Sequence, residues 1–186
     1  MSDVTINRKL NLVVPVDGAT GKVYVHSMPI ARETFEQYDM VLGRTFAALY
    51  ELGVGESAGP NIAASILKRI ATQLKVWDEV QSGLMAEIFR LTNVIANGEV
   101  MPWQVARSRN VLDADDAAEV TGAIVFFILV SSVSRRNQVA ARLEAPGRVW
   151  GFATTLLTPT AFLASLPTSM PAESSGVTMP VLSVPS

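Results

Sequence analysis

The sequence predicts a mainly α fold: a helical bundle of about four to five helices, with a short N-terminal β-hairpin and an irregular Pro/Ser-rich C-terminal tail. Three observations predict it. Apolar residues recur at three- and four-residue steps through several separate stretches. Two short runs near the N-terminus alternate with a period of two around Asp17-Gly18-Ala19-Thr20-Gly21. The last stretch carries Pro167, Pro171, Pro180 and Pro185 among many serines and threonines. With 186 residues, 49% of them hydrophobic and 17% charged, the chain can bury a sizeable core, and it is expected to form one domain over 1–166 followed by a tail over 167–186.

The elements follow in order. Residues 10–16 and 22–26 read as the two strands of a hairpin, with Val23 and Val25 set against Lys22, Tyr24 and His26. Ser27 offers a capping hydroxyl and Pro29 suits a first turn, so one helix is expected over 30–52, with Phe35, Tyr38, Leu42, Phe46 and Leu49 along one face. Gly53, Gly55 and Gly59-Pro60 separate it from a helix over 61–76 that stacks Ile62, Ile66, Ile70 and Leu74. A helix over 82–96 stacks Leu84, Ile88, Leu91 and Ile95 in the same way and is expected to stop at Asn97-Gly98. Met101-Pro102-Trp103 opens a short turn of helix ending near Arg109. Asp113, Asp115 and Asp116 then start the most apolar helix, which runs to about Ser134, with Arg135-Arg136 complementing its far end. Beyond Asn137, residues 138–144 are expected to form a further helix that Pro146-Gly147 breaks, and Thr158-Pro159 to start a short turn through Phe162 and Leu166.

Composition excludes several classes of chemistry. There are no cysteines and one histidine, which removes disulfides, thiolate metal sites and thiol nucleophiles, and forces any histidine-based site onto His26. His26 sits in a strand pattern and reads as an exposed or partly satisfied strand residue. The aspartates near 113 lack the glycine turn and distant glutamate of a calcium loop and read as helix-start caps. The glycines of 53–59 have no following Lys-Ser/Thr and no preceding strand, so they read as a linker. A net charge of −2 without a basic run offers nucleic acid no attraction. The apolar stretch 117–133 falls short of the ~20 residues of a membrane span and reads as a core helix. No secretory signal opens the chain. Neither a cofactor nor a metal is expected, and an interaction protein rather than an enzyme is the reading.

The contact surface is sought at Phe35, Tyr38, Leu42 and Phe46, or at Trp77 and Trp103, residues that serve a core equally well.

Several segments resemble a known family. The start, Arg8 to Val16 with Gly21-Lys22-Val23-Tyr24-Val25-His26, followed by the helix through Phe35 and Tyr50, is similar to tail assembly chaperones of long-tailed bacteriophages. Residues 83–94 (GLMAEIFRLTNV), 112–120 (LDADDAAEV) and 154–162 (TTLLTPTAF) extend the likeness to about residues 8–168. The resemblance implies a helical protein made in the host cytoplasm that binds the tape-measure protein, keeps it soluble, and helps recruit tail-tube subunits. Self-association into a homo-oligomer fits that role, with no nucleic acid or membrane partner. A structural protein of the tail or head-to-tail connector, present in the virion, is the alternative.

Overall fold

The computed structural model describes residues 9–18, 21–53, 55 and 57–167. The expected tail over 167–186 therefore lies, apart from Pro167, outside the described residues. The fold is α+β, not a mainly α bundle: a five-stranded antiparallel sheet of order β4-β3-β2-β1-β5 carries a helical layer. The hairpin read from the sequence is its centre, β1 (Asn11–Gly18) paired with β2 (Gly21–Ser27).

One missing strand was hidden in the segment expected to be one helix over 82–96, and a second follows it directly. The first part of that segment is helical, running from α4 (Trp77–Glu79) through a π-helical turn (Val80–Met85) into α5 (Ala86–Arg90). The chain then becomes β3 (Thr92–Ala96) and returns as β4 (Glu99–Pro102). Asn97 and Gly98 both take positive φ, 51° and 77°, and Ala96 faces Glu99 across them. That is the two-residue hairpin turn for which Asn-Gly is the strongest short signal, so the pair turns a strand instead of stopping a helix. Leu91 and Ile95, which continue the helical spacing from Leu84 and Ile88, belong to different elements.

Two further boundaries depart from expectation. The helix over 30–52 is two helices, α1 (Arg32–Gln37) and α2 (Asp39–Glu51), separated at Tyr38. The helix expected to break at Pro146-Gly147 runs through both as α8 (Val139–Trp150), and leads directly to β5 (Ala153–Thr155) on the outer edge of β1. The remaining helices fall where the pattern places them: α3 (Gly59–Gln73), α6 (Trp103–Ser108), α7 (Ala114–Val133) and α9 (Pro159–Ser165). Asp113 caps α7 by accepting from the Asp116 amide at 2.8 Å, and Thr158 caps α9 in the same manner.

α7 is the hub. Its stretch from Ala123 to Val130 is buried throughout, packed among α2, α3 and α8 and against β1. At 20 residues it is long and apolar enough to cross a membrane, which corrects the length argument; what marks it as a core helix is that 61% of its most apolar window is buried inside the protein. α3 comes so close to α7 that a Cβ placed on Gly122 would stand 2.3 Å from the Pro60 carbonyl oxygen. Only glycine permits that crossing.

The sheet has two unlike faces. Leu12, Val14, Val23, Val25, Val94 and Met101 share one face through their register and join the main core. Val13, Tyr24, His26 and Ile95 share the other, which is covered by the strap from β5 to α9.

Candidate functional site

His26 anchors that strap. It is fully buried, against the sequence reading of an exposed or partly satisfied residue, and its Nε2 lies 2.9 Å from the Leu157 carbonyl oxygen. A carbonyl only accepts, so Nε2 carries the proton and the neutral ring keeps Nδ1 bare. Nδ1 has no partner. The Asn11 side-chain amide donates to the same Leu157 oxygen at 2.9 Å, and Phe162 of α9 packs edge-on against Tyr24 with ring centroids 5.5 Å apart. Burial lowers the His26 pKa, and the bond to Leu157 only partly opposes it. The single imidazole is thus spent on holding a strap.

The six residues singled out as contact candidates divide. Tyr38, Leu42 and Trp103 are buried at 6%, 0% and 4% exposure, so their side chains are already taken up by this chain's own core. Tyr38 lies over Gly83 of the π-helical turn, and Trp103 stacks on Phe89 at 5.1 Å. Phe35, Phe46 and Trp77 are half-buried. The structure does not gather these three into one patch: Trp77 sits under Lys68 of α3, whereas Phe46 sits under Arg142 of α8.

Phe46 instead belongs to an apolar strip on the outer side of α2. It packs on Tyr50 with ring centroids 4.5 Å apart, and the Arg142 guanidinium lies 5.8 Å from both rings. Met40, Gly43, Ala47 and Tyr50 repeat at three- and four-residue steps beside it. Met40 is 60% exposed, Tyr50 36%, and Leu52, just past the helix end, 57%. A Cβ on Gly43 would meet open space. Met40, Tyr50 and Arg142 surround Phe46 on this strip, and sequence reasoning did not single them out. The signal was available in the stripe one step round from the one chosen.

Phe35 leads elsewhere. It lines a cleft of about 350 Å³ between the start of α1 and the end of α7. Arg32, Ser134 and Arg136 stand at this cleft, and the Ser134 hydroxyl is buried without a hydrogen-bond partner.

Among the described residues no group of three or more His, Cys, Asp or Glu side chains is placed to hold a metal ion. The chain matches no protein-family model, and no curated protein or solved structure is similar to it at a significant level.

Proposed function

We propose that this chain is a tail assembly chaperone of a long-tailed bacteriophage, which binds the tape-measure protein in the host cytoplasm, keeps it soluble and helps recruit tail-tube subunits. The observation that carries the reading is the exposed apolar strip of α2, in which Met40, Phe46 and Tyr50 offer an apolar helix something to bury against. The segment likenesses at 8–16, 21–26, 35–50, 83–94, 112–120 and 154–162 supply the biological setting. The α+β architecture replaces the helical fold that the likeness implied, and the strip itself is still a helix face.

Magnitudes say how such a surface works. Full burial of a large apolar side chain is worth about 1.5–3 kcal/mol, and Met40 and Tyr50, 60% and 36% exposed, have roughly half of that left to gain. Their sum is on the order of 2 kcal/mol before ordering costs, which leaves a single strip weaker than about millimolar. One strip therefore holds a client only fleetingly. A homo-oligomer lining a long repetitive client with many such strips multiplies the effect through effective concentration.

The test is co-expression with the neighbouring tape-measure protein. The wild-type chain keeps that protein in the soluble fraction and co-purifies with it; Met40→Ser with Tyr50→Ser, folded by circular dichroism, does neither. An unchanged tape-measure solubility with and without the chain removes the reading. Mass spectrometry of purified particles separates the alternative, since a tail or connector component is present stoichiometrically in the virion and a chaperone is absent.

A further inference from the structure

We propose that the strap over the outer sheet face, residues 152–167, exchanges between two copies of this chain, so that each copy's β5 and α9 seat on the sheet of the other. What the strap touches is remote in sequence. β5 pairs with β1 through Ala153 on Val13, Thr154 on Leu12 and Thr155 on Asn11. The Leu157 carbonyl accepts from Asn11 and His26, 146 and 131 positions away. Phe162 meets Tyr24 and His26 with ring centroids 5.5 and 6.2 Å apart, and α9 packs on β3 and β4. Each of these contacts joins a strap residue to a sheet residue, so a second copy's strap remakes all of them without any new chemistry.

The occupant is therefore specified by the strap already seated there. Beneath it lie Val13, His26 and Ile95, all buried, a surface that fits an uncharged short helix bearing one aromatic side chain, as α9 (PTAFLAS) does. Without cover, β1 keeps an open edge and these side chains face water. The contacts require a strap, and nothing in them requires it to come from the same chain.

One end of the strap is held lightly and the other is hinged. No residue of α9 is buried, so the helix lifts far more readily than the core opens. Between α8 and β5 the chain turns at Gly151, whose φ of 71° lies in the left-handed region. At a helical φ, α8 runs on through residue 151 and carries the strap away from its own sheet. Phe152 opposes that movement: 5% exposed and part of the main core, it has to leave its place and be replaced by its counterpart from the other copy. The exchange is consequently slow. The inference stands on the strap's contacts and not on the chaperone reading, although it supplies the self-association that reading uses.

The experiment uses the full chain, which has no cysteines, so introduced ones report alone. Val13→Cys and Ala153→Cys face each other across β1 and β5. Two chains carrying one of these substitutions each are unfolded together, refolded at high concentration and air-oxidised. Peptide mapping is expected to find residue 13 of one chain joined to residue 153 of the other. Both substitutions in one chain, oxidised in dilute solution, lock the strap on its own sheet and are expected to abolish the dimer that light scattering shows for the wild type. In Gly151→Ala the added Cβ meets nothing within 4 Å, so the change acts through φ alone. Alanine's penalty in the left-handed region is expected to raise the ratio of exchanged to closed straps about tenfold per chain. If that variant fails to fold, the lock and the mixed-chain link still decide. A wild-type chain that stays monomeric at its highest attainable concentration, a dimer that survives the lock, or a dimer without the 13-to-153 link overturns the proposal.

Discussion

The two faces of the sheet are built from different forces. On the inner face, valines and leucines of β1, β2 and β3 meet the helical layer organised by α7, and hydrophobic burial without titratable groups holds the contact. On the outer face, a short strap is held by one carbonyl that accepts from Asn11 and His26, and by Phe162 against Tyr24. The first arrangement is large, non-directional and indifferent to pH. The second is small, directional and dependent on the protonation state of one ring. The contrast teaches that stability of the whole and stability of the strap are separate quantities, which substitutions and pH should move independently.

The sharpest way to break that contrast is to damage the inner side. Phe127→Ala removes a fully buried aromatic from α7 and is expected to cost about 3–5 kcal/mol, read as a fall in the urea midpoint with every segment affected alike. Gly122→Ala is expected to cost about 2 kcal/mol by the same measurement, even though alanine favours a helix by about 1 kcal/mol. The added Cβ would collide with the Pro60 backbone, which no side-chain rotation relieves.

On the outer side the effects shrink and become local. Asn11→Ala deletes one of two bonds to the Leu157 oxygen and is expected to cost about 1 kcal/mol, with faster amide exchange confined to β5 and residues 156–158. Acidification tests the other bond. Because burial holds the folded-state pKa of His26 below its ordinary 6.5, the unfolded chain takes up the proton first. The contribution of the neutral ring is therefore complete above pH 6.5 and is lost as pH falls from there towards the lower folded pKa. A second N–H would then have to be buried at Nδ1, a nitrogen that has no hydrogen-bond partner in the neutral ring. Thermal midpoints measured from pH 8 downwards should drop below 6.5 in the wild type and drop less in His26→Gln, whose amide can still donate to Leu157. A strap whose exchange stays constant across that range would refute the role given to the ring. Smallest of all, Met40→Ser should change the unfolding free energy, read from urea titration, by no more than about 0.5 kcal/mol, since the side chain is 60% exposed, while reducing client solubilisation.

How far the sequence reveals this molecule depends on whether the deciding contacts are local. α7 was legible because Asp113, the acidic first turn and the apolar run all agree over 20 residues. The β1–β2 hairpin was legible from its alternation. β3 was not, because Leu84, Ile88, Leu91 and Ile95 keep helical spacing across an element boundary, although the β-branched Thr92, Val94 and Ile95 before Asn97-Gly98 carried the opposing signal. β5 is three residues long, too short for any period to show, and it exists only because β1 offers an edge. The same distinction separates the candidate residues. Phe35 at the cleft could be picked from its sequence position, but Tyr38 and Leu42 look like Met40 and Phe46 until the side of α2 that meets α3 and α7 is known. The Ser134 hydroxyl is invisible in sequence, where Arg135-Arg136 suggested only a helix end satisfied by charge. Its isolation comes from what the fold places around it.

The closure of the sheet also sets an order on synthesis. Asn11 and the Leu157 carbonyl are 146 positions apart, so a ribosome releases β1, β2, β3 and β4 long before β5 and the strap leave the exit tunnel. Through that interval the nascent sheet presents a bare edge and an uncovered face bearing Tyr24 and Ile95, a non-local gap of the sort that slows folding. Chains cut short near residue 150 should consequently be sticky and prone to edge pairing, and the last described helix acts as the closing latch of translation itself.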